Sequence, residues 1–274
     1  MGFAAEKQWK TWVQELNREV KEDPISYLSV VDAVYISAGT TVYLEGTLRD
    51  PLSLKWLKSK PNRFLLQVKF RDGKAIVSQP NQNDFDLITQ KRHPLGGGTI
   101  LEGGKLLDGD LRLMVHHPQH PKLKNFLGFR FYPYNPDNPA MVRTGTFLRN
   151  KAIEQVKFST QRRRVTPLFL LGRIQFEVDG KILFLNAYGG TEKPEDVEYL
   201  FVWFRDQSSG KGSYGGGRKM EVEGLKGLPK DGEKITLDFN RLTNPYCART
   251  SFFNCLIPRD PTLEVAILAG EMKP

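Results

Sequence analysis

The sequence predicts an all-β protein, an antiparallel β-sandwich or barrel with an N-terminal amphipathic helix. Three observations carry this expectation. From Ser29 onward the apolar residues recur with a period of two, and short alternating segments follow one another with almost no helical pattern between them. Two junctions, Arg71-Asp72-Gly73-Lys74 and Val178-Asp179-Gly180-Lys181, place Asp-Gly between alternating hydrophobics, a strong hairpin signal. Sequential strands joined by tight turns bury one face on a second sheet or by closing on themselves.

The first element is the exception. Across Ala4 to Glu22, Trp9, Trp12, Val13, Leu16 and Val20 recur at helical spacing, and Asp23-Pro24 stops the pattern. So short a helix is stable in water only when its stripe is covered, so it is expected to dock on a sheet face, with the tryptophans as packing residues. Strands are then expected at Val30 to Ser37, Thr40 to Glu45, Phe64 to Phe70, Ala75 to Ser78, Leu111 to His116 and Met141 to Leu148. Further strands are expected at Val156 to Ser159, Arg173 to Val178, Lys181 to Tyr188, Tyr199 to Phe204, Arg218 to Val222 and Lys234 to Asp238. No linker or repeat divides the chain. The expected organisation is a helix over residues 1–24 and a single β domain over 25–274, with two fused β halves, 25–124 and 125–274, as the alternative.

Composition narrows the function classes. Hydrophobic residues make up 39% and charged residues 26% of 274, which suits an ordinary globular protein. The longest apolar runs, such as Leu168 to Leu171, are far too short to cross a bilayer as a helix. The N-terminus lacks the basic head and apolar stretch of a secretory signal, so a cytoplasmic location is expected unless a leader has been trimmed away. A net charge of +9 raises the question of an anionic partner. The excess is scattered: Arg162-Arg163-Arg164 is the dense cluster, Lys55, Lys58, Lys60 and Arg63 a looser one, and no zinc-finger or RNP-type motif accompanies them. Nucleic acid is therefore not the expected partner; a small molecule is.

No metal or cofactor is expected. Cys247 and Cys255 lie eight positions apart, and His93, His116, His117 and His120 are all remote from them. His116 and His120 have helical spacing, but Pro118 between them breaks a helix. The cysteines read as buried thiols, with a disulfide the alternative for an exported protein. Of two glycine-rich segments, His93 to Gly98 reads as a plain loop, whereas Tyr214 and Arg218 frame Gly215-Gly216-Gly217 as a cationic fork beside flexible backbone. Neither matches a phosphate-binding fingerprint.

The richest segment is the last. It contains Leu237-Asp238-Phe239-Asn240-Arg241, Asn244-Pro245-Tyr246-Cys247-Ala248, Cys255, Pro258 and Ala269-Gly270-Glu271. Together with Phe204 to Lys211 and Tyr214 to Arg218, these blocks resemble an uncharacterised family of bacterial and archaeal proteins known as a domain of unknown function, over roughly residues 125–274. Trp9 and Gly128 to Pro133 are similar to landmarks of that family. The resemblance implies a shared fold and a shared site but carries no activity. The family pattern has prolines where this chain has Tyr246 and Leu256, so a looser loop is expected here.

Three readings of the segment follow from its chemistry. The favoured one is a binding module for a small polar ligand, anionic or sugar-like, held by Tyr214, Arg218, Asp238, Asn240, Arg241 and Asn244. The second is a hydrolase with Asp206, Asp238 or Glu271 as acid and base, and Arg205, Arg218 and Arg241 on an anionic group. The third is structural, with the same groups bridging strands and capping turns. Substrate, reaction and oligomeric state lie beyond the sequence.

Overall fold

The computed structural model describes residues 2–134, 142–162 and 164–274, with side chains from Ala5 onward. Met141, expected to open a strand, and Arg163, in the arginine cluster, lie outside the described residues. The fold is antiparallel β with a leading helix α1 (Gly2–Glu22), as the alternation required. The chain divides into two compact units, residues 16–127 and residues 1–15 with 128–274.

The unit of residues 16–127 holds nine strands among its described residues: β1 (Val30–Ile36), β2 (Thr41–Thr47), β3 (Asp50–Leu57), β4 (Leu66–Arg71), β5 (Lys74–Ser78), β6 (Phe85–Asp86), β7 (Arg92–Gly96), β8 (Thr99–Lys105) and β9 (Leu111–His116). They form two sheets, ordered β1-β9-β8-β7 and β3-β2-β4-β5-β6. Their inward residues share one core, Ile36, Leu101 and Leu113 from the first against Val42, Val68 and Phe70 from the second. The β4–β5 turn carries positive φ at both Asp72 and Gly73, the mirror-image geometry that suits a twisted hairpin. His93 to Gly98, expected as a loop, is instead β7 and its turn into β8, with positive φ at Gly96, Gly97 and Gly98. Glycine hid β8 too. Its Gly103 packs flush on Leu87, where an added Cβ would come within 2.6 Å of a side-chain carbon.

The second unit is a single sheet: β10 (Val142–Ser159), β11 (Val165–Val178), β12 (Lys181–Gly189), β13 (Leu200–Phe204), β14 (Arg218–Val222) and β15 (Lys234–Asp238). Its order is β14-β13-β12-β11-β10-β15, so β14 and β15 are its edges. Two expected strands, around Phe147 and Phe158, prove to be halves of the long, bulged β10. The sheet curls until its edges approach: beyond β15 the chain pairs Thr243 with Lys219 of β14 through N–H···O bonds of 2.9 and 3.0 Å. Phe147, Ile174, Phe204 and Phe239 fill the interior.

An irregular C-terminal tail closes this core. Leu263, Val265, Ile267 and Ala269 are buried while the residues between them are exposed, so the tail behaves as an extended strand facing the sheet interior. Backbone bonds at Leu263 to Arg205 (2.9 Å) and Glu271 to Leu242 (2.8 Å) hold it. In α1, Trp9 and Trp12 do pack, but on Phe131 and Tyr134 and beside the turn after β15 rather than on a strand face. Trp9 Nε1 donates to the Asn240 carbonyl (3.1 Å), and the Arg241 guanidinium lies 5.6 Å from the Trp12 ring centre.

Candidate functional site

The structure sorts the site residues expected from sequence into three places. The first is a sealed lattice. In β14, Arg218 alternates with Lys219 and so shares the inward face with Met220; it is fully buried. Its guanidinium meets Asp206 Oδ2 (2.8 Å), the Ile267 carbonyl (2.8 Å), the Ala269 carbonyl and Ser208 Oγ (3.4 Å). The other Asp206 oxygen accepts from the N–H of Ser208 (2.7 Å) and of Ile267 (3.3 Å). One cation thus ties the β13–β14 loop to two carbonyls of the tail.

Asn244 and Glu271 continue the lattice on the far side of the tail. The Asn244 N–H donates to Glu271 Oε2 (2.7 Å), its Nδ2 to the Met272 carbonyl (2.8 Å), and Arg249 to Glu271 Oε1 (2.9 Å). Burial pushes the Glu271 carboxyl above its ordinary pKa, against the opposing pull of the Asn244 N–H and of Arg249. Gly270 makes the approach feasible: its φ is +76°, and a Cβ there would lie 2.5 Å from Leu242 Cβ and 2.8 Å from the Phe239 carbonyl.

The second place is open. Between β14 and β15 lies a groove of about 340 Å³, lined by Asp238 and Arg241. Its apolar surface comes from Met220, Val222, Leu225 and Ile235, and its rim from Glu221, Glu223, Glu233 and Lys234. Asp238 also caps the turn Phe239–Arg241, accepting from the N–H (3.1 Å) and Nδ2 (3.0 Å) of Asn240, and faces Arg241 Nε at 3.5 Å. Asn240 itself is buried by these contacts.

Tyr214 occupies the third place, a corner with both cysteines. Gln161 Nε2 donates to Cys247 Sγ (3.3 Å), and the Cys247 N–H donates to Cys255 Sγ (3.3 Å). Burial, then the adjoining Cys247, raise the Tyr214 pKa.

Comparison with protein families matches residues 124–272 to the family described as "Protein of unknown function (DUF1684)". The chain belongs to this family. The solution NMR structure of the uncharacterized protein from gene locus rrnAC0354 of Haloarcula marismortui is 31% identical, over 55% of this chain and 79% of that one, with a TM-score of 0.45. Comparison with curated proteins returns no match.

All three places fall inside the DUF1684 match. Outside it, the other unit holds an arrangement with the form of a hydrolytic triad: His116 contacts Ser29 Oγ (3.0 Å) through Nδ1 and Glu102 Oε2 (3.1 Å) through Nε2. Ser29 is fully buried and its hydroxyl donates to the Ser26 carbonyl (2.7 Å), so it is a core fastening rather than a nucleophile open to substrate. His117 contacts the Gly97 carbonyl (3.0 Å), and His120 Nδ1 accepts from the Lys122 N–H (3.2 Å). Among the described residues no group of three or more metal-ligating side chains occurs, and no helix is long and apolar enough to cross a membrane.

Sequence reasoning missed Gln161 and the groove acids. Gln161 lies 86 positions from Cys247 and nothing local marks it. The acids had a signal: Glu221 and Glu223 alternate with the apolar residues of an edge strand.

Proposed function

We propose that this DUF1684 protein binds a small polyhydroxylated, sugar-like ligand in the groove between β14 and β15, with Asp238 and Arg241 as its hydrogen-bonding pair. The supporting observation is the lining of that groove, an apolar floor beneath charged walls in a volume at the low end of small-molecule sites. A sugar hydroxyl donates to a carboxylate and accepts from a guanidinium, and the C–H face of the ring covers apolar side chains. Glu221, Glu223, Glu233 and Asp238 outnumber Lys234 and Arg241, which favours a neutral polyol over the anionic ligand also considered from sequence.

Arg218, Asp206, Asn244 and Glu271 serve in this reading as scaffolding that holds the tail. A hydrolase would need a carboxyl free to exchange a proton with substrate. Asp206 and Glu271 each have both oxygens engaged by protein donors, and Asp238, the candidate that faces the groove, holds the Asn240 turn through Oδ1 and faces Arg241 through Oδ2, which sets that alternative below binding.

A thermal-shift screen with neutral sugars, amino sugars and sugar acids tests the proposal on wild type, Asp238→Asn and Arg241→Gln. A ligand at 100 times its Kd stabilises by about 2.7 kcal/mol. The expected result is a shift with a neutral sugar in wild type that both variants lose. Wild type unmoved across the panel, or equal shifts in all three proteins, contradicts it.

A further inference from the structure

Three segments distant in sequence meet at the Cys247 sulfur. Cys247 lies in the short turn Tyr246–Ala248, Gln161 just beyond the end of β10, and Tyr214 in the loop before β14. Cys255 is fixed beside them because its carbonyl accepts from the Gln161 N–H (3.1 Å), while Thr160 and Leu256 form an antiparallel bridge. Both thiols are free and only partly buried.

The Gln161 amide donates to Cys247 Sγ (3.3 Å) and the Cys247 N–H donates to Cys255 Sγ (3.3 Å), so the Cys255 sulfur abuts Cys247 and a thiolate on Cys247 has a donor at hand. We propose that Cys247 and Cys255 form a peroxide-reactive dithiol, in which Cys247 is oxidised by a hydroperoxide and Cys255 resolves the product to an intramolecular disulfide. This site is separate from the groove between β14 and β15 and independent of what binds there.

The chemistry balances in two steps. The Cys247 thiolate attacks the terminal oxygen of a hydroperoxide ROOH; an S–O bond forms, the O–O bond breaks, and one proton completes Cys247 sulfenic acid and the alcohol ROH. The sulfur loses two electrons and the peroxide gains them. The Cys255 thiolate then attacks the Cys247 sulfur; the S–S bond forms, the S–O bond breaks, and hydroxide leaves as water with the proton that Cys255 has given up. The net reaction converts two thiols and ROOH to a disulfide, ROH and water.

Ionisation supports this division of labour. The Cys255 hydrogen bond is the largest influence lowering the Cys247 pKa, to about 7, while burial opposes it. The same hydrogen bond raises the Cys255 pKa, with burial and the Cys247 charge adding to it. Oxidation of Cys247 removes that charge, and Lys219, whose charge favours ionised Cys255, remains. The other groups acting on the pair are Tyr214 and Gln161.

The test treats the reduced full chain with stoichiometric hydrogen peroxide and follows free thiols and intact mass. Wild type should react roughly tenfold faster than free cysteine at pH 7, from its larger thiolate fraction. It should lose two hydrogens, a change that dithiothreitol reverses. Cys255→Ser, which keeps a hydroxyl donor, should stop at a sulfenic acid that dimedone captures on Cys247. Tyr214→Phe should slow the reaction roughly fivefold at pH 7 and move its pH midpoint upward. Circular dichroism checks that each variant is folded, and peptide mapping of oxidised wild type assigns the linkage even where a variant fails to fold. A reaction no faster than free cysteine, disulfides only between chains, or dimedone captured on Cys255 overturns the proposal.

Discussion

Replacing Arg218 with methionine tests the lattice most severely, because the structure states what is stranded. The side chain is fully buried and is met by one carboxylate, the carbonyls of Ile267 and Ala269, and Ser208 Oγ. Removing one partner of a buried ion pair costs about 3–5 kcal/mol, because the other charge stays buried. Each orphaned carbonyl adds up to about 1–3 kcal/mol, less whatever the site recovers by relaxing. A loss of about 4–6 kcal/mol is therefore expected, a large part of the roughly 5–15 kcal/mol that typically separates folded from unfolded. Urea unfolding followed by tryptophan fluorescence suits the measurement, since Trp203 Nε1 donates to the Gly216 carbonyl (3.1 Å) two residues before Arg218. The double variant Arg218→Met, Asp206→Leu removes both charges, so it should be at least about 1 kcal/mol more stable than the two single losses added together. A loss below about 1 kcal/mol, with the single effects simply adding, refutes the lattice as the fastening of the tail.

Two further predictions concern the same region. Glu271 has a folded pKa above its unfolded value, so between the two the folded state holds more protons and stability falls as pH rises from about 4.5 through the folded pKa. Glu271→Gln lacks this dependence; its stability relative to wild type, measured by thermal unfolding across that range, should rise with pH, and a decline would mean the carboxyl is stabilised as an anion instead. Gly270→Ala should cost at least about 2 kcal/mol in chemical unfolding, because positive φ combines with contact against backbone. Gly180→Ala, with positive φ but nothing within 4 Å, should cost only about 1 kcal/mol, and equal losses would contradict the packing argument.

Strands were legible wherever side chains alternated without interruption, and β9, β14 and β15 begin and end where the pattern does. They were hidden where packing asked for something else. Pro51 and the outward-facing Leu52 break the pattern of β3, glycines thin out β8, and the tail from Leu263 to Ala269 alternates inside a segment rich in polar motifs. The site residues were recognisable by type but not by placement. Arg218 and Arg241 look alike in composition, yet one is sealed and the other half exposed. Parity in β14 carried the missing information, because Arg218 stands in step with the apolar Met220 and Val222 and therefore points inward. The separation of Tyr214 from the arginines had no such marker: it depends on Gln161 and the cysteines arriving from elsewhere in the chain.

Arg218 in β14 and Arg241 after β15 do different work, one fastening the fold and the other facing an open groove. Hydrogen exchange of the arginine Nη–H groups by NMR, on the unliganded full chain, reads this directly. Those of Arg218, buried and bonded to Asp206 and to the carbonyls of Ile267 and Ala269, should be protected by orders of magnitude relative to those of Arg241, whose side chain is 49% exposed. Exchange of both at the same solvent-limited rate would contradict this division of roles.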